Sequence, residues 1–172
     1  MAGDRRFLYI DSERCQGCGI CQLVCAAVRR RQWNPALGLI RVVDDQAFER
    51  HRGISCQHCD DPACALACLM NVIYRDEEQE LVLRRLEGCI GCRACEAACP
   101  FSAAVYDHIS EKEAACDLCL GDPQCVVYCP HQALSFRSQE EEMGSKRQQR
   151  ADLLLGPAAP GFEKEPGGEP AQ

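Results

Sequence analysis

Apolar residues occur along this chain in short runs, which are separated by polar segments that contain most of the cysteines. Runs of four or five residues that are rich in β-branched and aromatic side chains are typical of short strands. Residues 44–53 are polar and lead into one of the cysteine segments. The pattern predicts an α+β chain of short elements: strands at residues 7–11, 39–43, 104–107 and 133–136, a hairpin at residues 71–75 and 80–84, and helical segments at residues 20–30 and 62–68.

The pattern changes at Ser138. Residues 138–155 are helix-forming and charged, with acidic side chains early and basic side chains late, the polarity that suits a helix dipole. Residues 156–172 are rich in proline and glycine, a composition typical of an extended or disordered tail. We therefore predict a C-terminal extension at residues 138–172, which is either solvated or docked on a partner.

All sixteen cysteines fall into four quartets, which recur at intervals of roughly 30 to 40 residues. The third quartet has the spacing C-x2-C-x2-C-x3-C-P, by which bacterial ferredoxins hold 4Fe-4S clusters. Three closely spaced cysteines wrap one loop around a cluster, and the fourth follows a helical turn and binds the neighbouring cluster in two-cluster proteins. The quartets are Cys15, Cys18, Cys21 and Cys25; Cys56, Cys59, Cys64 and Cys68; Cys89, Cys92, Cys95 and Cys99; and Cys116, Cys119, Cys125 and Cys129.

Other uses of clustered cysteines fit this spacing less well. Structural zinc usually takes two C-x2-C pairs that are well separated in sequence, whereas here three cysteines stand at tight intervals. Covalent haem needs C-x-x-C-H, and no pair in the chain is followed by histidine. Dithiol redox chemistry needs one reactive pair. We therefore expect four 4Fe-4S clusters, with Gly17, Gly19 and Gly91 letting the backbone pass close to inorganic sulfur.

Composition and charge indicate the cellular location of the protein and exclude some classes of partner. The apolar stretch at residues 7–10 is shorter than the roughly 7–15 residues of an export signal, so a secreted disulfide scaffold is not expected and the predicted location is the cytoplasm. No apolar run approaches the roughly 18 residues of a membrane span, so direct membrane insertion is not expected. The formal net charge of −7 argues against nucleic-acid binding.

Two segments carry a resemblance to a known family. Residues 56–64 match the signature C-x-H-C-x-x-P-x-C, and a related pattern runs from Cys116 through Pro123 to Pro130. Over about residues 5–137 the chain resembles the four-cluster, ferredoxin-like electron-transfer subunits of the dimethyl-sulfoxide-reductase iron–sulfur type. Relatives of this type serve formate dehydrogenases, hydrogenases, carbon monoxide dehydrogenases and tungsten aldehyde oxidoreductases.

The resemblance implies two nested, bacterial-ferredoxin-like modules of short hairpins and helices. Residues 1–50 and 105–137 would form the outer module, residues 51–104 the inserted module, and residues 138–172 the extension. It also implies that each quartet exchanges its fourth cysteine with a neighbour. The implied ligand sets are Cys15, Cys18, Cys21 and Cys129 for the first cluster; Cys116, Cys119, Cys125 and Cys25 for the second; Cys56, Cys59, Cys64 and Cys99 for the third; and Cys89, Cys92, Cys95 and Cys68 for the fourth.

Two residues within the matched region depart from the ferredoxin pattern, and the roles of some others are not fixed by it. Ala26 and Leu69 stand after a quartet where ferredoxins have proline, which affects local loop geometry only. His58 lies inside a ligand loop, and a structural or hydrogen-bonding role is expected for it rather than ligation. Arg29 to Arg31 are expected to be a solvated helix end, with a docking patch for an acidic partner as the alternative.

The expected chemistry is one-electron transfer. The sequence offers no catalytic nucleophile or acid–base pair and no G-x-G-x-x-G or phosphate-binding loop, so no independent catalytic site is predicted and enzyme status is left open. We predict the electron-transfer subunit of a larger oxidoreductase, which passes electrons between the active site of a large catalytic subunit and another carrier. The resemblance favours a molybdenum or tungsten pterin partner, such as an aldehyde or formate oxidoreductase, ahead of a hydrogenase or carbon monoxide dehydrogenase. A further redox subunit or copies of this chain are also candidate partners.

Three other functions compete with this prediction. A freely diffusing polyferredoxin would shuttle electrons among several enzymes. A cluster-bearing sensor or assembly factor would use the same ligands without rapid electron transfer. A catalytic cluster would need an iron that lacks a protein thiolate, which the complete quartets oppose.

Overall fold

The computed structural model describes residues 5–47 and 50–155. The chain divides between Arg137 and Ser138 into two compact units. Within the described ranges the chain forms short strands and helices, which confirms the predicted α+β class. The strands are β1 (Arg6–Ile10), β2 (Arg41–Asp45), β3 (Arg50–Ile54), β4 (Ile73–Asp76), β5 (Leu81–Arg84), β6 (Val105–Asp107), β7 (Lys112–Ala114) and β8 (Leu134–Ser138). The helices are α1 (Ile20–Arg30), α2 (Ala63–Leu66), α3 (Ala94–Ala98), α4 (Gln124–Val127) and α5 (Gln139–Leu155).

The strands form two-stranded sheets. Three of these sheets are antiparallel hairpins of neighbouring strands, namely β2 with β3, β4 with β5 and β6 with β7. The remaining sheet pairs β1 with β8, and beyond it the amide of Asp11 donates a 2.8 Å hydrogen bond to the carbonyl of Ala133. The segment before the first quartet therefore lies beside the segment after the fourth.

The hairpin predicted at residues 71–75 and 80–84 is confirmed as β4 and β5. The strand predicted at residues 39–43 lies two residues further along, because Leu39 and Ile40 are buried in the core ahead of it. No strand was predicted within residues 44–53, yet β3 begins there. Its arginines concealed the strand pattern, and Arg52 pairs with Asp45 of the neighbouring strand at 2.6 Å.

Helix α1 has the predicted bounds, and its buried face carries Cys21 and Cys25. The helix is capped at its C-terminal end by Arg31, which has a left-handed backbone with φ of 54°. Arg29 and Arg31 are exposed, as expected of a solvated helix end, and Arg30 is half-buried. Arg29 pairs with Asp117, and Arg30 pairs at 2.7 Å with the buried carboxylate of Asp107.

Helix α5 confirms the helix predicted from residue 138. Its start is a capping box, in which the amide of Glu141 donates to Ser138 Oγ at 3.2 Å and the amide of Ser138 donates to Glu141 Oε2 at 2.8 Å. The tail predicted at residues 156–172 lies outside the described residues. In the part of the chain that is described, no helix combines the length and the apolar character that crossing a bilayer requires.

The buried side chains form two clusters, and both contain cysteines. The larger cluster is built from residues that flank the first and fourth quartets: Leu8, Cys21, Cys25, Leu39, Ile40, Ala114, Cys116, Leu118, Cys125 and Leu134. The smaller cluster comes from the segment between them: Val72, Ile73, Val82 and Cys95. Cysteine sulfur is therefore part of both cores.

Candidate iron–sulfur centres

The first and third quartets form what we call the tight loops, in which two residues separate the second and third cysteines. Gly17 and Gly91 occupy the second position between the first two cysteines, and both have left-handed backbones with φ of 66° and 67°. A second left-handed residue, Gly19 or Arg93, stands immediately before the helix of each loop. A Cβ atom at Gly91 would lie 2.5 Å from the carbonyl oxygen of Glu111, so a side chain has no room there.

The second and fourth quartets form the long loops, which have four and five residues between the second and third cysteines. Pro62 and Pro123 lie in these gaps, and each stands directly before a short helix, α2 or α4. The position that glycine holds in the tight loops is occupied by His58 and Leu118. Both side chains are buried, with 2% and 3% exposure, and both backbones are left-handed, with φ of 47° and 55°.

Two cavities have four cysteines in their walls. One is lined by Cys15, Cys18, Cys21 and Cys129, with apolar neighbours such as Ile40 and Leu134. The other is lined by Cys68, Cys89, Cys92 and Cys95, and its wall also includes Val72, Ile73 and Val105. In each cavity three cysteines come from one quartet and the fourth comes from another.

The remaining eight cysteines also lie near cysteines of a second quartet. Burial raises the pKa of Cys125 to about 12, with Cys25 and Cys119 adding to the rise. Burial also raises the pKa of Cys59, and the neighbouring Cys56 and Cys99 contribute. Two more cysteines show the same neighbourhoods: Cys116 lies near Cys125 and Cys25, and Cys64 lies near Cys56 and Cys99.

The donor chemistry of these sites fits an iron–sulfur cluster. Burial raises the pKa of Cys21 and of Cys95 to about 11, so these thiols stay protonated unless a cationic centre binds them. Four thiolates around an apolar cavity are the ligand set of a 4Fe-4S cluster, which supplies one-electron redox chemistry when bound. Across residues 5–47 and 50–155, no three His, Cys, Asp or Glu side chains are placed to hold a single metal ion.

Backbone amides donate to several of the cysteine sulfurs. Such hydrogen bonds help to set the reduction potential of a cluster because they stabilise negative charge on sulfur. The sequence does not reveal them, since the donors lie at turns and strand ends. The N–H···Sγ contacts are Leu39 to Cys25 at 3.2 Å, Ala103 to Cys99 at 3.4 Å, Leu118 to Cys116 at 3.4 Å and Ala133 to Cys129 at 3.3 Å.

A buried ion pair lies beside the second quartet, and no sequence pattern predicted it. Arg84 Nε lies 2.8 Å from Glu113 Oε1, and the two side chains are 8% and 5% exposed. The same guanidinium approaches Cys56 Sγ through Nη2 at 3.9 Å. Burial raises the pKa of Glu113, and Arg84 opposes this rise. Because 29 residues separate the partners, only the fold brings them together.

His58 is held from several sides. Its Nδ1 accepts a 3.1 Å hydrogen bond from the amide of Val82, and its carbonyl accepts from Arg5 and, at 3.1 Å, from Arg75. Burial lowers the pKa of His58 to about 4, and the nearby Arg84, Arg5 and Arg75 lower it further, so the ring is neutral. Nε2 is buried and has no hydrogen-bond partner among the described residues.

Comparison with known proteins agrees with this chemistry. The family model of the 4Fe-4S dicluster domain matches residues 50–139. A chain of the anaerobic dimethyl sulfoxide reductase of Haemophilus influenzae is 34% identical over 154 residues, which cover 77% of the present chain and 74% of that protein. A chain of the anaerobic dimethyl sulfoxide reductase of Escherichia coli is 31% identical over 153 residues, which cover 77% of the present chain and 73% of that protein.

A solved structure of the active-site complex BamBC of benzoyl coenzyme A reductase, with benzoyl-CoA bound, is 24% identical in sequence. The alignment covers 87% of this chain and 94% of that chain, with a TM-score of 0.46. The identity of the chain follows from the family match, the two reductase chains and the cysteine quartets. The chain belongs to the 4Fe-4S dicluster family and, within it, to the dimethyl-sulfoxide-reductase iron–sulfur type. It is an electron-transfer subunit of an oxidoreductase, and the subunit itself carries four 4Fe-4S clusters.

Proposed function

We propose that this chain relays single electrons between a molybdenum or tungsten pterin active site in a partner subunit and another redox carrier. Two relatives are each named as one chain of an anaerobic dimethyl sulfoxide reductase, which supports a separate catalytic chain. Aldehyde or formate oxidoreductases are the partner classes that the sequence resemblance favours. The cytoplasm, predicted from the sequence, is the proposed location.

The observation that carries this function is the distribution of the cysteines between surface and interior. The first and third quartets each contain an exposed cysteine, Cys18 or Cys92, beside buried ones such as Cys21 and Cys95, whereas the fourth quartet has two buried cysteines and no exposed one. An electron relay needs clusters near the surface, where electrons enter and leave, and clusters inside that connect them. Exposed Ile90 and Met70 line the same cavity as Cys92, and these apolar side chains are suited to contact a partner.

The proposed ligand sets are those implied by the resemblance. The first and fourth sets coincide with the cysteines that line the two cavities. The second and third sets are supported by proximity, because Cys25 contributes to the raised pKa of Cys125 and Cys99 to that of Cys59. Each cluster would thus take its fourth thiolate from the quartet of its neighbour.

The proposed modules are residues 1–50 with 105–137 and, inserted between them, residues 51–104. The pairing of β1 with β8 supports the outer module, because it joins the two segments of that module. The two buried clusters support the same division, because one draws its buried members from the outer segments and the other from the insertion.

Anaerobic native purification of a tagged chain from its own cells tests the proposal. We expect stoichiometric co-elution with one large catalytic chain, molybdenum or tungsten in the complex, and about sixteen iron atoms and sixteen labile sulfides on this chain, four of each per cubane. Rapid mixing with the reduced catalytic chain should bleach the visible absorbance of the clusters. A chain that elutes alone and exchanges electrons with several enzymes would instead be a diffusing polyferredoxin.

Two further results would also contradict the proposal. A chain that elutes with cluster-assembly proteins and accepts no electrons would be an assembly factor. A catalytic partner that contains nickel, and no molybdenum or tungsten, would assign the subunit to a hydrogenase or carbon monoxide dehydrogenase.

A further inference from the structure

The four quartets share one backbone feature that separates His58 from an ordinary buried histidine. The second residue between the first two cysteines has a left-handed backbone in every quartet: Gly17, His58, Gly91 and Leu118. Glycine adopts this conformation freely, whereas a residue with a Cβ atom incurs a steric penalty. Such strain persists where the surroundings impose it, and it is concentrated at functional sites. The fold thus places His58 at the loop position where the tight loops have glycine.

The hydrogen bond from Val82 fixes the proton of the imidazole. A backbone amide can only donate, so Nδ1 of His58 carries a lone pair and no proton. In a neutral imidazole the proton is then on Nε2, which makes Nε2 a donor and unable to bind a metal through that nitrogen. Nε2 is buried and has no acceptor anywhere in the described part of the chain. A buried donor without an acceptor costs about 1–3 kcal/mol, so an acceptor outside the polypeptide is expected.

We propose that His58 donates a hydrogen bond from Nε2 to a sulfur of the third cluster, and that this bond raises the reduction potential of that cluster. The inference rests on the proposed ligand set for this cluster, because His58 lies between two of its members, Cys56 and Cys59. Reduction adds one electron, supplied by the redox partner, and increases the negative charge on sulfur. The proton remains on Nε2, and the hydrogen bond becomes stronger in the reduced state. The imidazole therefore stabilises the reduced form more than the oxidised form.

Arg84 also lies beside the third cluster and would also raise its reduction potential. Its guanidinium approaches Cys56 Sγ at 3.9 Å, and the pairing with Glu113 holds it in place. Among the donor contacts to cysteine sulfur that the described residues make, this is the one that comes from a charged side chain. His58 and Arg84 would thus give the third cluster two side-chain donors.

The fourth quartet contains a natural control for His58. Leu118 occupies the equivalent position, has the same left-handed backbone and is equally buried, but it has no N–H group in its side chain. Leucine is thus compatible with this conformation in a long loop. The variant His58→Leu removes the donor while filling the space, and the reciprocal variant Leu118→His supplies a donor at the second cluster.

The experiment is a redox titration, monitored by electron paramagnetic resonance, of wild type, His58→Leu and Leu118→His in the purified complex. The midpoint of the third cluster is identified as the one that a Cys99→Ala variant lacks. We expect His58→Leu to lower this midpoint by roughly a tenfold change in the reduction equilibrium, about 59 mV for one electron, with iron content unchanged. Leu118→His is expected to raise the midpoint of the second cluster. A fully loaded His58→Leu protein whose midpoints all equal those of wild type overturns the inference.

A second measurement covers the case in which His58→Leu loses its cluster. In wild-type protein with 15N-labelled histidine, the reduced third cluster should show hyperfine coupling to a histidine nitrogen and to a proton that exchanges in deuterated buffer. Absence of both couplings overturns the inference. The proposed function is tested separately. If the chain has no catalytic partner but its cluster midpoints still respond to His58→Leu, the proposed function is wrong and the inference about His58 stands.

Discussion

The tight loops and the long loops differ in the residue that precedes the second cysteine of the quartet. Each tight loop has two left-handed residues, and the first of them is glycine in both loops. A Cβ atom would lie 2.5 Å from the His51 ring at Gly17, and equally close to a carbonyl oxygen at Gly91. In the long loops, which have extra residues and a proline, the same position holds His58 or Leu118, each with a left-handed backbone.

This difference shows how one chain can give similar clusters different reduction potentials. A tight loop has glycine directly before its second cysteine, so at that position it presents only backbone to its cluster. A long loop presents a side chain as well, and the identity of that side chain can change without rebuilding the loop. Each proposed module contains one loop of each kind, and therefore one cluster that a single substitution in the loop can tune.

The largest expected effect comes from removing the cysteine that joins the two kinds of loop in the inserted module. In the proposed ligand sets, Cys99 follows a tight loop but binds the cluster of the long loop, whereas Cys68 does the reverse. Cys99→Ala is therefore expected to abolish the third cluster, with a loss of about four iron atoms, and Cys68→Ala to abolish the fourth. Iron analysis and redox titration measure this.

The variants themselves provide the control. The midpoint that disappears in Cys99→Ala should be the one that responds to substitutions at His58 and Arg84, and it should remain in Cys68→Ala. If it disappears in Cys68→Ala instead, each quartet binds its own cluster and the exchange of fourth ligands between loops is wrong.

The next largest effect concerns Arg84, the charged side chain that lies beside the long loop of the second quartet. Arg84→Met leaves the carboxylate of Glu113 buried without a partner, which is expected to cost about 3–5 kcal/mol of stability. Burial raises the pKa of Glu113, and Arg84 no longer opposes the rise in this variant. The folded state then binds more protons than the unfolded state, so the loss of stability increases as pH rises through the carboxyl range. Anaerobic denaturant unfolding at several pH values measures it.

A double variant separates the two roles of this arginine. Replacing both buried charges, with Arg84→Met and Glu113→Leu together, should restore most of the stability because no unpaired charge remains. The midpoint of the third cluster should stay lowered, since the donor to Cys56 is still absent. A double variant that recovers both stability and midpoint would show that Arg84 acts through folding alone.

The sequence sufficed for the features that depend on local pattern. The cysteine spacing led to the quartets, two runs rich in β-branched and aromatic or aliphatic residues led to β4 and β5, and the helix pattern led to the bounds of α1. Features that depend on distant partners were missed. The arginines of β3 look like loop residues until β2 lies beside them, and no local signal links Arg84 to Glu113.

The role of His58 was only partly accessible for the same reason. Its place inside a ligand loop was visible in the sequence, and a hydrogen-bonding role was predicted. Which nitrogen carries the proton depends on the amide of Val82, which lies 24 residues away and is brought near by the hairpin. The tautomer, and with it the direction of the hydrogen bond, could only come from the structure.

A smaller effect tests why the tight loops need glycine. Gly91→Ala is expected to destabilise the protein by about 1–3 kcal/mol, because the residue is left-handed and the new methyl group meets the backbone of Glu111. Gly17→Ala has the same backbone strain, but its methyl group meets the ring of His51, which can rotate away. The midpoint of denaturation should therefore fall further for Gly91→Ala than for Gly17→Ala. Equal losses at the two sites would mean that backbone strain alone decides the requirement.

The smallest expected effect concerns the prolines of the long loops. Pro62 and Pro123 have φ of −76° and −69°, close to the value that the proline ring imposes, so each restricts the unfolded chain without strain in the folded one. Replacing either with alanine should reduce stability by about 0.4–1 kcal/mol, through greater freedom of the unfolded chain. Iron content and cluster midpoints should stay at their wild-type values, because His58 and Leu118 keep their positions. A shift of the third midpoint in Pro62→Ala would show that proline is needed to hold His58 against the cluster, and the long loop would then be less tolerant of change than its extra length suggests.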